Sequence, residues 1–156
     1  MFSILFLSFC SKDNELDTTL NERSSGCGDF FVYKFNTSSD GALTVKGNLS
    51  VLDLDSSFKT FDLDTVSSNN LEVNFVQYDG KGINYCNDVI EGDEPKEVNT
   101  WNAYKGKVDI RIEKSEWEDK VIFIRLIDIE LKSESNSLLK FPSVFFDEVH
   151  IGWYPG

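Results

Sequence analysis

The sequence contains a single histidine, His150, and only three cysteines, Cys10, Cys27 and Cys86, no two of them close together. Structural zinc sites draw four ligands from closely spaced Cys and His, so no metal site is read here. His150 alternates with Val149 and Ile151, which places it on the solvent side of a strand. With no nucleophile motif near it, His150 is not read as a catalytic base, and no catalytic residue is assigned. A basic cluster is also missing. Fifteen Lys and Arg stand against 27 Asp and Glu, a net charge of −12. Such a surface repels phosphate backbones, which excludes nucleic acid as a partner. It also repels anionic lipid headgroups, so contact with a membrane has to come through an anchor. No stretch carries a helical period, and no apolar run approaches the about 20 residues that a membrane-crossing helix needs. The acidic pairs Asp53/Asp55 and Asp62/Asp64 lack the spacing and glycine of a calcium loop, and they read as solvated strand ends. No cofactor is expected.

What the sequence does hold is aromatic residues, with 13 Phe, 5 Tyr and 3 Trp, arranged at strand period. Phe31, Tyr33 and Phe35 alternate with Val32 and Lys34. Leu43, Val45, Gly47, Leu49 and Val51 alternate with polar residues over nine positions, and Leu71, Val73 and Phe75 continue the pattern. A shorter strand is expected over residues 83–90, around Cys86. Val108, Ile110 and Ile112 begin the second half. Residues 121–131 are rich in β-branched side chains, but their apolar phase slips near Leu126 and Ile127, which predicts a bulge. Residues 141–153 close the domain. The turns between these runs indicate one all-β domain. An antiparallel β-sandwich, jelly-roll or immunoglobulin-like, is expected, with a barrel as the alternative.

The N-terminus is of a different kind. Residues 1–9 are uncharged and apolar apart from Ser3 and Ser8, and at Cys10 the chain switches abruptly to polar and charged residues. Leu7-Ser8-Phe9-Cys10 resembles the lipobox of bacterial lipoproteins. Ser11-Lys12-Asp13-Asn14-Glu15 is similar to the charged stretch that follows the cysteine in surface-exported lipoproteins of the Bacteroidota. The resemblance covers roughly the first fifteen residues and none of the folded domain. It implies a cell-envelope protein held to the outer membrane through a lipidated Cys10. Residues 1–9 would then be a signal-peptide remnant, 10–25 the lipidated cysteine and a polar tether, and 26–156 the β-sandwich domain. If Cys10 carries lipid, Cys27 and Cys86 remain as an even pair, and an oxidising envelope lets them join. The alternative is two buried thiols, and the Cα separation decides between them.

Three readings of function follow. The first is a non-enzymatic binding module anchored in the envelope, with a glycan or a protein as partner. In its sharper form Trp101, Tyr104 and Trp117 provide aromatic faces for a polymer ligand. The second is a glycoside-hydrolase-like enzyme using two carboxylates. The third is an assembly or inhibitor subunit that pairs a strand with its partner.

Overall fold

The computed structural model describes residues 16–87, 92, 94–114 and 119–153. The architecture is all-β and antiparallel. Among the described residues eight strands run in chain order: β1 (Ser25–Cys27), β2 (Phe31–Phe35), β3 (Gly41–Gly47), β4 (Lys59–Asp62), β5 (Leu71–Tyr78), β6 (Glu97–Lys114), β7 (Lys120–Ser133) and β8 (Leu138–Ile151), and one short helix, α1 (Leu49–Leu52), follows β3. The sheet order is β1-β2-β3-β5-β6-β7-β8. β4 lies off this path and pairs with β6 beyond the part that β5 covers. No helix among the described residues is long and apolar enough to cross a membrane.

The sheet curls so that its two ends face each other, as the two layers of a sandwich do. Gly26 on β1 lies so close to β8 that an added Cβ would sit 2.8 Å from Val149 Cγ1. At the same end, Gly28 N donates to Trp153 O and Gly152 N donates to Gly28 O. Across the interior, the rings of Phe75 on β5 and Phe141 on β8 lie 5.8 Å apart. Inward residues from both halves make one core, including Val32, Leu43, Val45, Phe75, Ile110, Ile124, Leu126 and Phe146. Burying side chains of this size stabilises the fold by about 1.5–3 kcal/mol each.

Bulges let long strands curl. On β7 the buried positions run Ile122, Ile124, Leu126 and then Ile129 and Leu131. The slip expected near Leu126 and Ile127 is therefore present: the ladder shifts register between Lys105 and Lys107 of β6, and Asp128 on the opposing strand has φ +50°.

Three expectations need correction. The nine-residue alternation from Leu43 is not one strand. β3 stops at Gly47 because the Phe30 ring crosses its end, and a Cβ there would lie 2.4 Å from Phe30 Cδ1. Asn48 Oδ1 then accepts from Ser50 N and caps α1, which buries Leu52. Residues 83–87 form a turn rather than a strand, and 88–90 lie outside the described residues. The polar stretch 16–24, expected to be tether, is docked on the domain. Asp17 accepts from Thr37 Oγ1, Ser38 Oγ, Ser38 N and Thr19 N, Thr37 N donates to Thr19 O, and Asn21 N donates to Phe35 O. These donors, the Ser38 and Thr37 hydroxyls foremost, hold the Asp17 carboxyl far below the usual carboxylate range.

The outer face of β2 explains the remaining aromatics. Phe31, Tyr33 and Phe35 point away from the main core, and the segment after β5 straps across them. Tyr85 lies 5.2, 4.8 and 5.9 Å from their ring centroids. Cys86, next in the chain, is bonded to Cys27, with Cα atoms 5.9 Å apart. Burial pushes the Tyr78 and Tyr85 phenols up, and their hydroxyls hydrogen-bond each other at 2.5 Å.

Candidate functional site

The aromatic residues singled out in the sequence do not form one surface. Trp101 is 3% exposed. It sits on the inward face of β6, opposite Phe75 in register, with the rings 5.9 Å apart, and its Nε1 donates to Ser137 Oγ at 3.3 Å. Its place is the core, which corrects the expectation of a binding aromatic. Tyr104 is 43% exposed, on the outer face that alternation from Trp101 and Ala103 assigns it. Its hydroxyl is committed, however, donating to Glu130 Oε2 at 2.8 Å. Lys105 and Lys140 also reach Glu130 Oε1, at 3.1 and 3.4 Å. Together, the Tyr104 hydrogen bond first, they hold the Glu130 carboxyl down at about 2. Trp117 and Cys10 lie outside the described residues.

The acidic pairs are taken up by lysine. Lys59 Nζ is 3.3 Å from Asp53 Oδ2 and 3.7 Å from Asp55 Oδ2, and Lys107 Nζ is 3.9 Å from Asp62 Oδ1. Asp53 ends α1 in the left-handed region rather than lying on a strand. Among the described residues no group of three or more His, Cys, Asp or Glu side chains is placed to hold a metal ion. His150 Nδ1 faces Asp119 Oδ2 at 3.8 Å on the open surface.

A concave site exists elsewhere, at one pole of the curled sheet. A cleft of about 730 Å³ opens where the β1–β2 turn, the end of β3, α1 and the start of β5 meet. A second hollow of about 480 Å³ adjoins it, and the two share Leu49 and Lys120. The local folding that creates the cleft begins at Gly47. With no side chain there, Phe30 lies across the strand end and becomes an apolar floor, and Gly47 N donates to Phe30 O at 3.2 Å. Asn48 N donates to Asn70 O, which brings α1 and the residues before β5 together as one wall. Polar groups ring this floor. Lys46 and Glu72 are cross-strand partners on β3 and β5, and Asp29, Asn69 and Lys120 complete the rim. Glu72 Oε1 is oriented by Asn74 Nδ2 at 2.7 Å.

The rim therefore offers planar carboxylate and amide groups beside ammonium donors, over a floor of apolar carbon. That combination can hold an uncharged, hydroxyl-rich molecule by paired hydrogen bonds. Sequence reasoning missed it because Asp29, Lys46, Asn69, Glu72 and Lys120 come from four separate stretches of the chain. Each sits in a turn or at a strand end, where a polar residue is ordinary. No local signal marks it, because the alternation from Leu43 to Val51 runs through Gly47 and Asn48 without a break. Lys114 and Lys120, which bracket Trp117 in the chain, both line the second hollow.

The pole has a fixed relation to the N-terminus. Asp17 is bound at the β2–β3 turn, whereas the cleft lies at the opposite ends of those two strands. β3 alone, at 7 residues, separates the two by about 20 Å. The edge of β8 carries Lys140 and Pro142, and its ladder with β7 shifts register beside Glu148, whose φ is +50°. These are devices that discourage strand pairing, so this edge does not favour assembly by added strands.

Compared with known proteins, the chain matches no family model, no curated sequence and no solved structure.

Proposed function

We propose that this protein is a non-enzymatic binding module of the bacterial cell envelope, anchored in the outer membrane by lipid on Cys10, and that the polar-rimmed cleft takes a glycan segment. The observation that carries the reading is the position of the cleft, at the pole opposite the docked N-terminal segment. Leu16, the first described residue, already packs against the core, so the chain from Cys10 to it can span at most about 20 Å. A tether that short keeps the β2–β3 turn near the bilayer and turns the cleft outward. The Cys27–Cys86 bond agrees with an oxidising compartment. The net charge of −12 favours a neutral glycan over an anionic polymer.

Two measurements test the two parts. Metabolic labelling with an alkyne fatty acid should mark the protein, and Cys10→Ser should abolish the mark. A labelled Cys10→Ser variant defeats the anchor. For the cleft, the unlipidated Cys10→Ser chain is screened on a glycan array. A glycan that binds should lose at least about tenfold in affinity, or roughly 1.4 kcal/mol, with Glu72→Gln or Asn69→Ala. Binding that survives both changes removes the cleft from the function.

A further inference from the structure

A second surface lies on the outer face of β4, β6, β7 and β8, independent of the cleft. Thr60, Asp109, Arg125 and Phe145 form one cross-strand row. Arg111 and Phe123 face each other in the next. The Arg111 guanidinium lies 4.0 Å from the Phe123 ring centroid and 5.2 Å from that of Phe58. Arg125 lies 4.3 Å from Phe58 and 5.8 Å from Phe145. Phe58 and Phe145 are 38% and 55% exposed, although large apolar rings on a sheet face would gain by burial.

Charge makes this surface unusual. With 27 acidic residues against 15 basic ones, a guanidinium here has many carboxylates to choose from. Arg111 has one, with Nη1 2.5 Å from Glu113 Oε1. Among the described residues Arg125 has no carboxylate within ion-pair distance, although Asp109 is its cross-strand partner. Asp109 is engaged from the other side, where Thr60 Oγ1 donates to its Oδ1 at 2.7 Å. The result is a guanidinium fork stacked on aromatic carbon, exposed, and without its expected partner.

We propose that Arg125, between Phe58 and Phe145, is a docking site for an extended protein segment bearing a single carboxylate among apolar side chains. The planar fork donates two parallel hydrogen bonds to a carboxylate, and its fixed geometry makes Arg stronger here than Lys. The two rings shield that pair from water and take the apolar neighbours. Buried Arg and aromatic anchors carry most of the affinity at protein interfaces. The overall charge selects the partner. A polyanion is repelled by a protein of net charge −12, whereas one carboxylate on an otherwise neutral segment meets only the local, unpaired Arg125.

The test is NMR titration of the full chain, isotope-labelled, with the capped peptide Gly-Leu-Glu-Phe-Gly and its counterpart with Gln in place of Glu. The Glu peptide should shift the Arg125 side-chain signal and the Thr60 and Phe145 amides, and bind at least about tenfold more tightly than the Gln peptide. Arg125→Lys and Phe145→Ala should each weaken it severalfold. Thr60→Ala should also weaken it, because Asp109 is then free to turn to Arg125, and adding Asp109→Asn should restore it. That rescue distinguishes a defined site from general surface attraction. Equal binding of the two peptides, no binding, or full affinity in Arg125→Lys overturns the proposal. Inorganic phosphate that shifts the same signals with equal affinity identifies an unselective anion site and overturns it as well.

Discussion

Replacing Cys86 with serine is expected to lower the stability of the domain by about 4 kcal/mol. The bond closes a loop of 59 residues in sequence separation, from β1 past β5. Without it the unfolded chain regains the freedom that this closure removed. The folded state loses something too. Tyr85 is held over Phe31, Tyr33 and Phe35 by its neighbour Cys86, and the ring contacts of the strap depend on that placement. Each aromatic pair adds about 0.5–1.5 kcal/mol beyond its buried area, so a strap that lifts forfeits contacts as well as entropy. Urea denaturation followed by intrinsic fluorescence measures the effect. At a slope of about 2 kcal/mol/M the midpoint should fall by roughly 2 M, and dithiothreitol should move the parent protein to the same place. A midpoint indifferent to both the substitution and the reductant contradicts the bond.

The sheet's character was legible because period two is a direct consequence of the pleat, and Phe31–Phe35, Leu43–Val45 and Leu71–Phe75 display it without interruption. The bulge in β7 was legible for the same reason. An extra residue reverses the facing, so the apolar phase of residues 121–131 records it. The Cys27–Cys86 pairing came from arithmetic on three cysteines, once the lipobox resemblance had claimed one. What could not be read was everything set by contacts between distant segments. Gly47 looks like one more position in an alternating strand until Phe30 is seen lying across it. Trp101 follows a polar loop and so looked exposed, yet its inward facing depends on pairing with Phe75 on another strand. The polar stretch 16–24 reads as tether, yet it docks: Leu16 and Leu20 pack against the core, and Asp17 accepts hydrogen bonds from the β2–β3 turn, which the sparse apolar pattern does not report. The cleft is of the same kind, since its rim is gathered by the curl of the sheet.

That curl depends on the paired bulge of β6 and β7, where the other large effect is expected. Gly106→Ala should cost about 3 kcal/mol or more. Gly106 has φ +122°, a conformation that residues with a Cβ rarely adopt. The added carbon would also sit 2.8 Å from Asp128 O and 2.7 Å from Ile129 Cδ1. The carbonyl belongs to the backbone and cannot swing aside, and Ile129 is fully buried. Strain and overpacking each cost about 1–3 kcal/mol, and here they act at one atom. Asp128, across the ladder, provides the control. It is also in the left-handed region, at φ +50°, but it is exposed and short polar side chains tolerate that region. Asp128→Gly relieves the backbone while freeing the unfolded chain, so its net effect should stay within about 1 kcal/mol. Thermal unfolding of the two variants beside the parent separates them. A Gly106→Ala protein as stable as Asp128→Gly would mean that β6 and β7 can pair without this bulge. The change of facing from Leu126 to Ile129, and the curl that follows from it, would then need another cause.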